Sequence, residues 1–398
     1  MAYLDHAATT PILAEAREAM NAAMGVCGNA SSLHSAGRRA RRVAEESRES
    51  VAAALGARPG EVVFTAGGTE ADNLGVKGLY WSRHAADPRR RVILASPVEH
   101  HAVLDPVCWL RDHQGAVVRW LGVDSHGRID PDQVDRLLAE DAGRVALVTV
   151  MWANNEVGTV QPVEVVVAVA HRYGVPVHVD AVAALGQLSV DATISGADTL
   201  AVSAHKIGGP IGVGALVVRS DAELTPVLHG GGQEAGIRSG TLDVPGIAGF
   251  AVAAQLAHDR RDRLAERLAG LRDSLVDGVR GVDPSSLLNG DPGPGPASRL
   301  PGNAHLTFPG AGGDSLLMLL DAAGVECSTG SACSAGVPQA SHVLLAMGVD
   351  EQAALCSVRF SLGHSSTATD VQELVTALPA ALDRARRAGV SSARLVRR

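Results

Sequence analysis

Lysine is nearly missing from this chain of 398 residues: among 35 lysines and arginines, only Lys77 and Lys206 are lysine. Where charge alone was needed, arginine was used. A retained lysine therefore draws attention to a primary amine, which can lose its proton and condense with an aldehyde as a guanidinium cannot. Aromatic residues are also scarce, 3% against 46% hydrophobic overall, so the core has to be built from Val, Leu, Ile and Ala. The five cysteines (Cys27, Cys108, Cys327, Cys333, Cys356) are scattered, odd in number and without C-x-x-C spacing. That pattern argues against a zinc ribbon or a disulfide framework and for a reducing compartment, with the cytoplasm as the default. No apolar run is long enough to span a membrane; the stretch 163–170 is broken by Glu164 and closes on His171-Arg172. Met1 to His6 lacks the basic segment and apolar run of a signal peptide. Excess positive charge is absent as well. A formal charge of -8 offers no attraction to nucleic acid or anionic membrane, and the arginine-rich tail 384–398 reads as a solvated helix end and frayed terminus.

What is present is a regular alternation. Short Val/Ile/Leu runs at 61–64, 91–95, 117–121, 145–150, 175–179, 199–202 and 213–218 are separated by helical stretches. Runs apolar on both faces predict an α/β protein, with a mostly parallel sheet buried between helices on both sides. Pro245 opens a long helical stretch to about residue 279 that links this large domain to a smaller α+β one. The expected division is 13–250 for the large domain and 1–12 with 251–398 for the small one. The Pro/Gly run 291–296 reads as a loop within the small domain. After it come a strand at 303–308, a helix at 314–323, a Gly/Ser/Cys-rich loop at about 327–340 and a strand at 357–361.

Several segments carry candidate chemistry. Phe64-Thr65-Ala66-Gly67-Gly68-Thr69-Glu70 reads as strand, glycine turn and helix start, either a phosphate cradle or an ordinary α/β turn with a Thr cap. His178 and Asp180 share a strand face, but no third metal ligand is evident, so no metal site is expected. Asp180, at a strand's C-terminal end, can instead face a cofactor and hold a pyridine nitrogen protonated, while His178 reads as a satisfied core histidine. Of the neighbours His100 and His101, one imidazole could stack on a flat ring and the other lies on the surface. Asn154-Asn155-Glu156 also follows a strand, where an Asx turn is the ordinary reading. Cys333, in a loop with no bulky residue to pin it, is either a mobile nucleophile or a small loop residue.

Together the segments resemble the cysteine desulfurases, fold-type I pyridoxal-phosphate enzymes of the class V aminotransferase group. The matches run from Tyr3-Leu4-Asp5-His6-Ala7-Ala8-Thr9-Thr10-Pro11 and Gly28-Asn29-Ala30-Ser31-Ser32-Leu33-His34 through Ser203-Ala204-His205-Lys206. They continue to Gly230-Gly231-Gly232-Gln233-Glu234, Arg238-Ser239-Gly240-Thr241 and Arg359-Phe360-Ser361-Leu362-Gly363. The length around Cys333 resembles the subgroup with an extended cysteine loop, associated with iron–sulfur cluster and tRNA thiolation supply. The resemblance implies that Lys206 binds the pyridoxal 5'-phosphate aldehyde and later moves the Cα proton, with Asp180 on the pyridinium nitrogen and His100 stacked on the ring. Gly68, Thr69, Ser203 and His205 would hold the phosphate, and Thr241 would arrive from the partner of a homodimer. Arg359 with Asn155 would orient the carboxylate of L-cysteine. Cys333 would take the sulfur as a persulfide for a sulfur-acceptor protein, leaving L-alanine.

One departure stands out. The family carries Asp-x-x-Gln after the strand, the glutamine bonding the cofactor's phenolic oxygen; here the run is Asp180-Ala181-Val182-Ala183, with Gln187 the nearest glutamine. Three readings compete with full desulfurase activity. One is a related lyase on selenocysteine or cysteine sulfinate; another is a scaffold with attenuated catalysis. The third, a nicotinamide oxidoreductase, is disfavoured because the Gly67-Gly68 turn lacks the spaced third glycine.

Overall fold

The computed structural model describes residues 1–330 and 339–395. A short strand, β1 (Ala2–Tyr3), and two helices, α1 (Ala14–Met24) and α2 (Ser35–Ala54), precede the main sheet. Its seven strands are β2 (Val62–Thr65), β3 (Val92–Ala95), β4 (Val117–Trp120), β5 (Val145–Met151), β6 (Val177–Asp180), β7 (Thr199–Ser203) and β8 (Gly214–Val218). Their spatial order is β2-β8-β7-β6-β5-β3-β4. Strands β3 to β7 pair in parallel, and β8 runs antiparallel to both β7 and β2. The mostly parallel sheet expected from the apolar runs is therefore observed, with one reversed strand.

Helices α3 (Gly68–Ala86), α4 (His101–Gln114), α5 (Pro131–Asp141), α6 (Val163–Arg172) and the short α7 (Ala192–Ser195) connect the strands. Alternate strand residues feed opposite faces. Val92 and Leu94 pack into one core while Ile93 and Ala95 enter another, and Val62 and Phe64 are likewise separated from Val63. Burial on both faces explains why these strands read as continuous apolar runs rather than alternating ones. The edge strand β4 differs, with Val117 and Trp120 exposed.

The helix α8 (Val244–Val282) has Pro245 in its first turn and an Asp243 side chain that accepts from Gly246 N at 3.1 Å. Both features suit a helix start, where proline loses no bond and a free N–H needs an acceptor. Its first half packs Ile247, Phe250 and Ala254 onto the sheet; its second half gives Leu268, Leu275 and Val279 to a separate core. That second core is built on β9 (Leu287–Leu288), β10 (Asn303–Thr307), β11 (Val325–Glu326) and β12 (Ser357–Ser361), with helices α9 (Gly313–Asp321), α10 (His342–Ala346), α11 (Glu351–Ala354) and α12 (Ala368–Leu395). Strand β10 pairs antiparallel with β12 and β9, while β1 lies parallel to β11. Ala2 and Leu4 are buried in this second core, so the first residues of the chain pack with its last third. No helix among the described residues is long and apolar enough to cross a membrane.

Candidate active site

The C-terminal ends of the parallel strands converge on one cleft of about 400 Å³. Open α/β sheets bind ligands at this end, where the loops leave the strands. Ser203 ends β7 and His205 and Lys206 follow it, Asp180 ends β6, Asn155 follows β5, and His100 follows β3. Because β8 reverses, β2 points the same way as β7; Thr65 and Ser203 are both level with Gly214. That register brings the Gly67 turn beside Ser203. The approach requires glycine: a Cβ on Gly214 would stand 2.8 Å from the Gly67 backbone, and Gly67 itself has φ +141°.

Helix α3 begins at Gly68, so the N–H groups of its first turn have no partner within the helix, and Gly68 and Thr69 line the cleft. Ser203 Oγ is buried there with no hydrogen-bond partner. Gly68 sits close under Val182, where a Cβ would come within 2.7 Å of Val182 Cγ2. These features fit the phosphate of the cofactor implied by the resemblance. Thr69 and His205 also line the cleft, with His205 Nδ1 3.2 Å from Thr9 Oγ1. Burial and the Lys206 charge hold His205 down to about 4, so its ring is neutral.

The Lys206 amine donates to the carbonyls of Ala7 and Ala8, the latter at 2.9 Å. Burial lowers it to about 8, with Arg359 adding to the shift and Asp180 and Asp5 opposing it. The neutral amine, which is the form that attacks an aldehyde, is thus a minor species at neutral pH and the major one above about 8. We expect capture of pyridoxal phosphate by cofactor-free protein to accelerate about tenfold between one pH unit below that midpoint and one above it. Stopped-flow absorbance measures the rate, and a flat profile would remove Lys206 from this role.

Asp180 is buried and accepts from Val182 N at 2.9 Å. Burial raises its carboxyl to about 6, against the pull of that bond and of the Lys206 charge. His100 caps α4, its Nδ1 accepting from Ala102 N at 3.1 Å, and its ring lines the cleft. Burial pushes His100 down to about 4. Both imidazoles are solvent-exposed, but only His100 lines the cleft; His101 lies 3.1 Å from Asp105 outside its wall. The asparagine pair divides too. Asn154 makes the Asx turn, its Oδ1 accepting from Glu156 N and Val157 N, whereas Asn155 lines the cleft.

Arg359 arrives from β12 and closes the far side. Its guanidinium donates to Asp5 at 2.8 Å and to the Asn155 carbonyl at 3.0 Å, and its Nε is buried without a partner. A guanidinium held by two partners with capacity to spare is preorganised for a carboxylate. Thr241 is exposed and does not line this cleft. Cys333 lies outside the described residues, although Ser328 and Gly330 just before it line the cleft. Ala183 also lines it, leaving no side-chain donor at that point. Gln187 is no substitute, because its Oε1 accepts from Gly302 N at 3.0 Å and the residue is not part of the cleft wall.

Sequence reasoning missed Asp72, which lines the cleft from α3, together with the lysine's carbonyl partners and the Asp5 partner of Arg359. Asp72 was detectable from its spacing, three residues after Thr69 and three before Gly75, which places all three on one helix face.

Comparison with known proteins gives a consistent picture. The aminotransferase class-V sequence profile matches residues 2–374. An IscS-like cysteine desulfurase of Mycobacterium tuberculosis (strain ATCC 25618 / H37Rv) is 55% identical over 393 residues, 99% of each chain. Cysteine desulfurase IscS of Dictyoglomus turgidum is 40% identical over 385 residues, covering 96% of this chain and 95% of its own. Among solved structures, a NifS-like protein superposes with a TM-score of 0.87 at 34% identity, over 96% of this chain and all of its own. The structure described as SspA in complex with cysteine superposes at 0.78 and 32% identity, over 91% and 99%.

Proposed function

Since the chain belongs to the class-V aminotransferase family, among its cysteine desulfurases, we propose that Lys206, Asp180, Arg359 and Cys333 divide the conversion of L-cysteine to L-alanine between them. The observation that carries this reading is the meeting of a depressed lysine, a buried carboxylate and an arginine with spare donor capacity in one cleft at the strand ends. The cofactor of this family is pyridoxal phosphate, which supplies an electron sink for the substrate's Cα. The first turn of α3 with Gly68, Thr69, Ser203 and His205 holds the phosphate, Asp180 supplies a fixed negative charge, and His100 covers the ring. Arg359 and Asn155 orient the substrate carboxylate. Lys206 Nζ holds and returns the proton at Cα, a task that needs an amine titrating near working pH. At Cys333 the thiolate attacks the substrate sulfur. The C–S bond breaks with its electron pair on carbon, an S–S bond forms, and carbon takes a proton to leave alanine.

Mass spectrometry of the protein after incubation with cysteine tests this. Cys333 should gain one sulfur, and Cys333→Ser should lose alanine formation from cysteine. A variant that still forms alanine at the wild-type rate would favour a lyase that eliminates sulfur without a protein thiol. Further parts of the proposal are a homodimer in which Thr241 reaches the partner's phosphate site, a sulfur-acceptor protein, and a cytoplasmic location that suits the unpaired Cys27, Cys108, Cys327 and Cys356. We also propose the domain division 13–250 against 1–12 with 251–398; residues 247 to 257 of α8, across that boundary, pack on the sheet.

Ala183 points to attenuation rather than loss. A hydrogen bond to a charged group contributes about 1.5–3 kcal/mol, which at ~1.4 kcal/mol per tenfold is one to two orders of magnitude in rate. Ala183→Gln should therefore raise turnover by about ten- to a hundredfold and shift the cofactor's visible band. An unchanged spectrum and rate would show that the missing donor has no consequence here.

A further inference from the structure

From the cleft wall at Asp72 inward lies a group of buried ionisable side chains that the reaction above does not use. Asp72 on α3 is 1% exposed, and His178, on β6 two residues before Asp180, is fully buried. His178 Nε2 lies 3.2 Å from Asp72 Oδ1, and its Nδ1 lies 2.9 Å from Thr199 Oγ1. Gly75, one turn along the helix from Asp72, makes room for the ring: a Cβ there would stand 2.3 Å from His178 Nδ1. An interior glycine weakens a helix, so the chain gives up helix stability to seat an imidazole against the Asp72 carboxyl. Glu99 is a third carboxyl of the group. Its Oε1 accepts from Met151 N at 2.7 Å, and its Oε2 is buried without a partner.

Three carboxyls sharing one buried region cannot all ionise. Burial lifts Asp72 and Glu99 well above the usual carboxylate range, and the Asp180 charge adds to both shifts. Asp180 is lifted less, because the Val182 N–H and the nearby Lys206 favour its anion. Burial also pushes His178 down to about 3, which leaves the ring neutral. A neutral imidazole has one donor and one acceptor. In the tautomer whose Nδ1–H donates to Thr199, Nε2 is left to accept a proton-bearing oxygen.

We propose that His178 keeps Asp72 as an uncharged acid, Nε2 accepting the Asp72 hydroxyl, so that Asp180 is the single anion available to the cofactor's ring nitrogen. Asp72 and His178 are then positioning residues acting through Asp180, and the inference rests on the reading that Asp180 faces that nitrogen.

The rival arrangement is an imidazolium–carboxylate pair, and the holoenzyme distinguishes the two. Asparagine at position 72 can donate to Nε2 as the acid does, whereas alanine leaves Nε2 unpaired. Asp72→Asn should keep cofactor affinity within about twofold of wild type, and Asp72→Ala should weaken it about tenfold or more. Absorbance titration with pyridoxal phosphate reads both. If the asparagine variant binds as weakly as the alanine one, the negative charge was needed and the proposal falls. If the alanine variant binds as tightly as wild type, the pair positions nothing and it falls equally. Should Asp72→Ala fail to fold, ¹⁵N NMR of His178 in wild-type holoenzyme decides, with the signal assigned by its loss in His178→Gln. A neutral Nδ1–H ring is expected, and either an imidazolium or a neutral Nε2–H ring would refute the idea. Failure of the underlying reading looks different: Asp180→Asn would then retain cofactor and spectrum unchanged, whatever the His178 signals show.

Discussion

Replacing Lys206 by alanine should cut alanine formation from cysteine by at least about a thousandfold. On the roles proposed for it, two tasks disappear together, the covalent hold on the cofactor aldehyde and the proton transfer at Cα. Positioned acid–base groups alone contribute roughly 10²–10⁴ in rate. No other lysine can step in, because Lys77 lies on α3 with its amine 4.7 Å from the centre of the Trp109 ring. The loss should be chemical rather than structural. Lys206 is half-buried and held below its usual range chiefly by desolvation, so removing it relieves part of that cost and should change the melting temperature little. Borohydride treatment of the wild type followed by peptide mapping should place the cofactor on position 206, and the alanine variant should carry none. A small primary amine added to the variant should restore part of the rate. Label at another position, or activity within tenfold of wild type, would take this residue out of the mechanism.

Much of this architecture is legible in the residues, for identifiable reasons. Strand runs such as 145–150 could be read because both faces are buried, so apolar side chains are continuous. Lys206 could be read because lysine is otherwise almost absent, and Asp180 because a carboxylate closing an apolar strand is costly unless something faces it. The reversal of β8 could not be read, since a short apolar run carries no mark of its direction. Nor could the partner of Arg359: Asp5 is 354 residues away, and only the packing of the first residues into the second core brings them together. Asp72 lay between these cases. Its helix-face spacing with Thr69 and Gly75 was visible, but its approach to His178 depends on how α3 lies against β6, which tertiary packing alone determines. The glutamine missing at position 183 was visible from the start. Only the structure showed that Gln187 is occupied with Gly302 and supplies no replacement.

Converting Asp180 to asparagine should lower turnover by about a hundred- to a thousandfold while leaving the fold intact. The carboxylate attracts a cationic ring nitrogen by a few kcal/mol at an effective dielectric near 20, and each ~1.4 kcal/mol is a factor of ten. Asparagine keeps an oxygen for the Val182 N–H and occupies the same volume, so the loop after β6 has no reason to move. It also removes a buried charge, and with it the repulsion that helps lift Asp72 and Glu99. Stability should therefore hold or rise as activity falls. That opposite movement separates a charge effect from simple damage, since a variant that merely disrupted β6 would lose both together. The cofactor's visible band should shift in the same variant, because a ring nitrogen without its anion gives up its proton more readily. If turnover stays within a few-fold of wild type, the charge at the end of β6 is not what draws electrons away from Cα, and the assignment of that strand end to the ring nitrogen is wrong.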